Sequence, residues 1–179
     1  GRNITSESFN TSLLNEPWEI KNGSGRPFQV FTPYWRKSRA GIYREPADYS
    51  LNSLSFSTVQ PPGYKLDELE LLPSHDWHTK LSEHWNVSED AAHKLIQRTA
   101  DVITRSYATA RNIPSKDGTS RLSPYLAWGL VSPRQICQAV LTADNEGGHR
   151  GENKYLVEIG WREFSYQLLY HFPHIPDQP

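Results

Sequence analysis

The chain has 179 residues, no methionine, one cysteine and a formal net charge of −1 at pH 7. It is long enough to bury a core, and the single Cys137 excludes an internal disulfide framework and favours a reducing compartment, which we expect to be the cytoplasm. No apolar run approaches the roughly 18 residues of a membrane span, and a near-neutral chain carries no general signature of nucleic-acid binding.

The charge is distributed unevenly along the chain. Residues 93–162 contain ten Lys and Arg against six Asp and Glu, whereas residues 1–92 contain nine against twelve. The first residue is Gly1, and the chain stops soon after Pro173 without a closing element. We therefore expect an internal fragment of a longer protein.

The first 44 residues contain three weak structural signals. Residues 8–14 are a short helical candidate. Residues 27–32 alternate apolar and polar side chains, which indicates a short strand or an extended segment. Thr32 followed by Pro33 predicts the start of a helix, with Thr32 as its N-cap.

Residues 45–73 predict irregular structure, since five Pro and Gly residues interrupt any long element. A helical region is expected from about residue 76. Ser88 is a candidate N-cap, followed by Glu89 and Asp90 in the first helical turn, where the helix dipole favours acids. Apolar residues then recur at helical spacing, which predicts a helix of about 20 residues ending before Pro114.

Residues 117–134 hold two Ser-Pro pairs, nine residues apart. Ser123 and Ser132 are candidate N-caps, Gln135 completes a capping box with Ser132, and Gly129 is placed to end the first, short helix. The Gly-Thr-Ser-Arg run at 118–121 combines hydroxyls, a guanidinium and free helix amides, which suits a phosphate or another anion. The alternative is a polar turn with a solvent-facing Arg.

Two further helices are predicted over residues 133–143 and 152–172. Glu158, Trp161 and Arg162 stand at positions i, i+3 and i+4 of the second, so they should project together and could bind a base-sized ligand. The alternative is a Glu158–Arg162 salt bridge beside a half-buried Trp. Tyr107 and Arg111 lie one turn apart on the preceding long helix and could equally form a surface Tyr–Arg stack.

Three segments resemble the DNA photolyase/cryptochrome family. Residues 118–134 are similar to the family's flavin-phosphate loop, residues 158–173 to its Trp-Arg-Glu-Phe helix, and residues 26–35 to the end of its N-terminal α/β domain. The resemblance implies a mainly α fold, the first part of the helical FAD-binding domain at 76–179. A long interdomain linker at 45–75 and the remnant of an α/β antenna domain at 1–44 would precede it.

The resemblance also assigns roles to individual residues. It implies that FAD is bound by Tyr107, Thr119, Ser120, Arg121, Leu122, Ser123, Glu158 and Arg162. Arg111 would contact the DNA backbone. Glu158 and Trp161 would contact the flipped lesion, and so count both as catalytic and as DNA-binding residues. Glu163 would support the fold.

The implied activity is that of a bacterial deoxyribodipyrimidine photolyase: light-driven, FAD-dependent repair of cyclobutane pyrimidine dimers in DNA by electron transfer. Its partners would be damaged DNA and FAD, with a second antenna chromophore of the folate or deazaflavin type in the longer parent, and we expect a monomer. The fragment alone should bind FAD weakly and be inactive, because the later part of the flavin pocket lies beyond it. The alternatives are a cryptochrome blue-light receptor and a helical scaffold without a cofactor.

Two other kinds of site are disfavoured. The seven His residues show no metal-ligand spacing, which argues against a metal site. Cys137 has apolar neighbours on a predicted helix and no base nearby in sequence, which favours packing over nucleophilic chemistry.

Overall fold

A computed structural model describes residues 5–47, 52, 55, 58, 62–144 and 150–177. It divides the chain into two compact units, one formed by Gly1–Pro46 with Ser88–Pro179 and the other by Ala47–Val87. The described part is mainly α-helical and contains no strand beyond one isolated antiparallel bridge between Lys21 and Pro27. The predicted mainly α fold is therefore confirmed, while the predicted domain boundaries stay a prediction.

The N-terminal segment is irregular up to helix α1, Phe31–Ser38, which continues into a 3-10 helix, Arg39–Tyr43. The helix begins one residue before the predicted cap, with Val30 at the N-cap position and no side-chain cap, so the predicted role of Thr32 is wrong. The helix predicted at residues 8–14 is also absent. Its backbone amides bind side chains instead: Leu13 donates to Asn10 and Leu14 to Glu163.

The unit formed by Ala47–Val87 contains short elements only, as far as its residues are described. They are two 3-10 helices, Leu66–Leu69 and Asp76–His78, and the four-residue helix α2, Thr79–Ser82. Much of the predicted linker between residues 48 and 61 lies outside the described residues.

The predicted 20-residue helix forms in three consecutive parts. These are α3 at Glu89–Arg98, a π-helical segment at Thr99–Ile103 and α4 at Thr104–Ala110. The predicted cap is confirmed, because Ser88 Oγ accepts a hydrogen bond from the Ala91 amide at 3.1 Å. The π segment was not predicted; it contains Thr99, whose hydroxyl donates to the Leu95 carbonyl.

Helix α5, Ser123–Ala127, is short and ends as predicted at Gly129, whose φ of 69° is the left-handed conformation that glycine adopts without strain. The amides of Gly129 and Leu130 donate to the carbonyls of Leu126 and Tyr125, which together form a Schellman motif. The predicted N-cap role of Ser123 is wrong: Ser123 is the first helical residue and Leu122 occupies the cap position without a side-chain bond.

Helix α6, Pro133–Asp144, begins with the predicted capping box. The Ser132 amide donates to Gln135 Oε1 at 2.7 Å, and the Gln135 amide donates to Ser132 Oγ at 3.2 Å. Cys137 lies on this helix with no exposed surface, and burial raises the pKa of its thiol to about 12. It is therefore a protonated packing residue near neutral pH, as predicted.

Helix α7, Arg150–His171, is the longest element of the described chain. It packs against α4, α1 and α6, and so occupies the centre of its unit. The side chains that it buries include those of Tyr155, Leu156, Ile159, Glu163, Phe164 and Gln167. Because α7 contacts three other helices, its consecutive turns face different neighbours, and this decides where the predicted site residues lie.

Candidate functional site

The turn between α4 and α5 is held against the end of α4 by Gly118. A Cβ atom at Gly118 would lie 2.6 Å from the carbonyl carbon of Ala110, closer than any real side chain allows. Only glycine therefore lets the turn approach the last residue of α4 so closely. This close approach brings Thr119 and Ser120 next to the end of the helix that carries Tyr107 and Arg111.

The predicted anion-binding Arg121 is held in place by an ion pair. Its guanidinium lies 3.3 Å from Asp117, which also accepts a hydrogen bond from Arg98 at 2.7 Å. Arg121 itself has a left-handed backbone with φ of 56°, while its neighbour Leu122 is buried. The turn is thus fixed at both ends, with the Arg121 side chain 59% exposed and open to a ligand.

The end of α4 is connected to the middle of α7 by an ion pair between Arg111 and Glu158. Glu158 also lies 3.3 Å from Lys154, one turn earlier on α7. The Arg111 guanidinium lies 5.6 Å from the centre of the Tyr107 ring and donates a hydrogen bond to the Tyr107 side chain. Glu158 therefore does not form the intrahelical salt bridge with Arg162 that the alternative interpretation required.

Tyr155 is a site residue that the sequence analysis missed. Its ring packs edge-to-face against Tyr107, with centroids 5.0 Å apart and planes at 80°. Its side chain is also hydrogen-bonded to Ser120, and burial raises the pKa of its hydroxyl well above the usual range. Helical spacing could have identified it, because Tyr155 stands three residues before Glu158 and therefore shares its helix face.

These contacts define a junction formed by the end of α4, the turn at 118–123 and the first half of α7. It contains Tyr107, Arg111, Ser120, Tyr155 and Glu158. The α4–α7 junction, as we call it, brings together a carboxylate, a guanidinium, two aromatic rings and the Ser120 hydroxyl, and Thr119 precedes Ser120 in the turn. Such a set can hydrogen-bond and stack on a flat, charged ligand.

Trp161 lies on a different side of α7, against α1. Its ring stacks on Phe31 with centroids 3.7 Å apart and planes at 9°, and 44% of the residue remains exposed. The adjacent Gly160 packs directly against Trp35, whose indole ring occupies the space that a Cβ atom would need. One face of the Trp161 ring is thus covered by Phe31.

Arg162 is directed towards the N-terminal segment. It donates to the Ser12 carbonyl at 2.9 Å and to Glu163 at 3.0 Å, and it lies 4.9 Å from the centre of the Tyr166 ring. None of these groups belongs to the α4–α7 junction. The described contacts of Arg162 are thus with the N-terminal segment and its own helix, and its expected convergence with Tyr107 and Glu158 stays a prediction.

Glu163 is nearly fully buried and accepts a hydrogen bond from the Leu14 amide at 2.7 Å. Burial raises the pKa of its carboxyl to about 7, although the bonds from the Leu14 amide and Arg162 oppose that shift. Its role in this structure is to hold the N-terminal segment on α7, as the sequence analysis expected of a fold-supporting residue.

A cavity of about 470 Å³ lies elsewhere, between α3 and α6, and contains none of the predicted site residues. Its polar lining consists of His93, Gln97, Asp101, Gln135, Gln138 and Thr142. Within the described ranges, no group of three or more His, Cys, Asp or Glu side chains could hold a metal ion. No described helix is both long and apolar enough to cross a membrane.

The sequence of the chain is similar to those of known proteins. The family model described as DNA photolyase matches residues 1–50. The deoxyribodipyrimidine photo-lyase of Agrobacterium fabrum is 34% identical over 98% of this chain and 37% of its own length. One from Thermus thermophilus is 33% identical over 93% of this chain and 35% of its own. Cryptochrome-2 of Arabidopsis thaliana is 27% identical over 99% of this chain and 31% of its own.

The fold leads to the same family. The crystal structure of a bacterial class III photolyase from Agrobacterium tumefaciens matches with a TM-score of 0.83 at 35% identity, covering 93% of this chain and 35% of that one. The chain spans about 37% of the length of the Agrobacterium fabrum relative. Because the similarity in sequence and in fold extends over nearly all of its residues, the chain belongs to the DNA photolyase/cryptochrome family.

Proposed function

We propose that the chain is part of a deoxyribodipyrimidine photolyase, which repairs cyclobutane pyrimidine dimers in DNA by light-driven, FAD-dependent electron transfer. The observation that carries the proposal is the α4–α7 junction, where Tyr107, Arg111, Ser120 and Glu158 meet although they come from three separate segments. The relatives named deoxyribodipyrimidine photo-lyase support the same activity. The division into an antenna-domain remnant, a linker and a helical FAD-binding domain is part of this proposal.

The residues of the junction fit a flavin dinucleotide. Arg111 Nε is buried without a hydrogen-bond partner in the described structure, which leaves a donor for a ligand or water. Thr119 and the 59%-exposed Arg121 guanidinium offer donors for a diphosphate at a turn that Gly118 and Asp117 already hold in place.

The flavin would be held by residues of the junction and of the turn beside it, and it would supply the light-driven one-electron chemistry. These residues are Tyr107, Thr119, Ser120, Arg121, Leu122, Ser123 and Glu158. An antenna chromophore of the folate or deazaflavin type would be a second cofactor of the longer parent.

Arg162 differs from the other proposed flavin residues in its described contacts. Its bonds to Ser12 and Glu163 fix the turn of α7 that follows Glu158. In this arrangement Arg162 holds the N-terminal segment on α7, and its own contact with the flavin stays part of the proposal.

Damaged DNA would be recognised by Arg111, Glu158 and Trp161. The dimer must leave the duplex to reach a cofactor, and a flipped base is bound by stacking and by hydrogen bonds to its polar edge. Trp161 offers an aromatic ring that is 44% exposed and that Phe31 supports from behind. Glu158 offers carboxylate oxygens, and Arg111 can neutralise either that carboxylate or a DNA phosphate.

The test is light-dependent repair by the protein that contains this chain. We expect the purified protein to carry flavin and to split thymine dimers under blue light, and we expect Glu158→Ala to lower the repair yield. Leu169→Ala, at an exposed position three turns away on α7, is the matched control and should repair normally. A flavin-containing wild-type protein that leaves dimers intact under light would contradict the proposal.

A cryptochrome blue-light receptor is the second candidate, since Cryptochrome-2 of Arabidopsis thaliana matches 99% of this chain. The presence of Glu158 together with an exposed aromatic ring at Trp161 favours repair. The repair assay separates the two, because a receptor would bind flavin and absorb blue light without splitting dimers.

A further inference from the structure

The connection between α4 and α5 contains a carboxylate that is shared by two guanidinium groups. Arg98 Nη2 lies 2.7 Å from one oxygen of Asp117, and Arg121 Nη2 lies 3.3 Å from the other. Arg98 comes from α3, 19 residues before Asp117, whereas Arg121 belongs to the turn at 118–123. We call these three residues the charged triad. Its two cations and one anion leave a net positive charge beside the turn.

The triad connects the turn to a π-helical segment. Arg98 is the last residue of α3 and immediately precedes that segment, Thr99–Ile103. Short π-helical segments occur frequently at functional sites. The parts of the helix on either side of this one both contact the turn, since Arg98 binds Asp117 and the backbone of Ala110, at the end of α4, lies against Gly118. The turn is therefore held by the two halves of one interrupted helix.

The backbone of Arg121 has a conformation that needs support. Its φ of 56° lies in the left-handed region, which costs a residue other than glycine about 1–3 kcal/mol. The next residue, Leu122, is buried, and its amide donates to Ser120 Oγ at 3.4 Å. Asp117 holds the other end of Arg121, its guanidinium. A strained residue that is held at both ends indicates that the direction of its side chain matters.

The ion pairs of the triad contribute little to folding. All three side chains are at least one-third exposed, and pairs this accessible to solvent typically contribute less than about 1 kcal/mol. By charge alone, a carboxylate is also unfavourable beside a turn that binds a diphosphate, because the two anions repel each other. The position of Asp117 is explained if it orients Arg121, and that of Arg98 if it fixes Asp117 and offsets its charge.

We propose that Arg98 and Asp117 are positioning residues for the diphosphate of FAD: Arg98 fixes the Asp117 carboxylate, and Asp117 orients the Arg121 guanidinium towards the ligand. The inference rests on the proposed function and adds to it two residues that need not touch FAD themselves. Arg121 can bind Asp117 and a phosphate oxygen at the same time, since a guanidinium has five N–H donors.

The experiment is a flavin fluorescence titration that measures the dissociation constant for FAD of the protein that contains this chain. Asp117→Asn should weaken binding about fivefold, the equivalent of one partly exposed ion pair, whereas relief of charge repulsion alone predicts tighter binding. Arg98→Gln should also weaken binding about fivefold. The matched controls are Asp101→Asn and Lys94→Gln. They remove the same charges from exposed positions of the same interrupted helix and should change the dissociation constant less than about twofold.

Double variants separate positioning from a general effect on the turn. In an Arg121→Gln background, Asp117→Asn should no longer weaken FAD binding. In an Asp117→Asn background, Arg98→Gln should weaken it less than about twofold. Asp117→Glu keeps a carboxylate and should bind FAD more tightly than Asp117→Asn does. Urea unfolding establishes that each variant is folded.

Wild-type or tighter FAD binding in Asp117→Asn overturns the inference. An equal loss in the Arg121→Gln background also overturns it, because Asp117 would then support the turn rather than Arg121. The light-dependent repair assay tests the proposed function separately. Repair by the wild type, with Asp117→Asn binding FAD like the wild type, refutes the positioning role alone. The predicted losses of affinity without repair refute the photolyase activity alone, and a wild-type protein with no affinity for FAD refutes both.

Discussion

The Arg111 guanidinium and the Glu158 carboxylate form an ion pair that joins the C-terminal end of α4 to the middle of α7. Their side chains remain 25% and 31% exposed, so the pair is accessible from solvent. It connects two segments that stand 47 residues apart in the sequence and sets the spacing of the α4–α7 junction. Because the pair is not sealed in the core, either group can exchange its partner for a ligand.

We expect this ion pair to contribute little to folding and much to ligand binding. A double-mutant cycle of Arg111→Gln and Glu158→Gln should give a coupling energy of about 0.5–1 kcal/mol in urea unfolding, since the pair is partly solvated. Lys154→Gln, which removes the second cation beside Glu158, is the control and should change stability by less than about 0.5 kcal/mol. A coupling energy indistinguishable from zero would show that the pair does not hold the helices together in solution.

Gly118→Ala should destabilise the protein by about 1–3 kcal/mol, because the new methyl group would collide with the backbone of Ala110. The turn would have to move away from α4, and flavin affinity should fall with it. Gly23→Ala is the control: open space surrounds that position, and we expect a change within about 0.5 kcal/mol. Equal melting temperatures for the two variants would contradict the close approach.

Glu163 should make stability depend on pH. Its pKa is raised from 4.5 to about 7 in the folded protein, so the folded state binds more protons between those values than the unfolded state does. Protonated Glu163 therefore gives its full contribution to the free energy of unfolding below about pH 4.5. As the pH rises to about 7, the free energy of unfolding falls by up to about 3 kcal/mol.

Unfolding in urea at pH 5 and pH 8 measures this effect. The loss of stability between the two should be smaller in Glu163→Gln, which cannot ionise but keeps an oxygen for the Leu14 amide. Glu89→Gln, at an exposed position on α3, should retain the wild-type dependence. Parallel pH profiles for the wild type and Glu163→Gln would rule out the raised pKa.

The two Ser-Pro pairs should respond differently to truncation. Ser132→Ala removes a hydroxyl that accepts the Gln135 amide and should cost about 1 kcal/mol. Ser123→Ala removes no cap and should cost less than about 0.5 kcal/mol in unfolding experiments. Equal losses from the two substitutions would mean that Ser123 also caps its helix.

Several features that local sequence determines were predicted correctly, although the caps predicted at Thr32 and Ser123 were wrong. Ser88, the Ser132–Gln135 box and the end of α5 at Gly129 each depend on residues within one or two turns. The helix predicted at residues 8–14 fails because of a distant contact: the Leu14 amide binds Glu163, 149 residues away. Local propensity cannot anticipate such a partner.

The same distinction applies to the site. Tyr107, Arg111 and Glu158 were predicted as site residues from the family resemblance, and the structure brings them together. Helical spacing also placed Trp161 and Arg162 beside Glu158, but α7 packs against different neighbours at successive turns. Trp161 therefore stacks on Phe31, and Arg162 binds the Ser12 carbonyl. The sequence could not reveal those neighbours.

The central claim is that the turn at 118–123 holds FAD beside α7, and a flavin titration of the protein that contains this chain tests it most directly. Thr119→Val combined with Ser120→Ala removes two hydroxyls and should weaken FAD binding about 30-fold or more, with the far-ultraviolet circular dichroism unchanged. Lys116→Gln, an exposed change in the same connection, should bind FAD like the wild type. Wild-type affinity in the double variant would contradict the account.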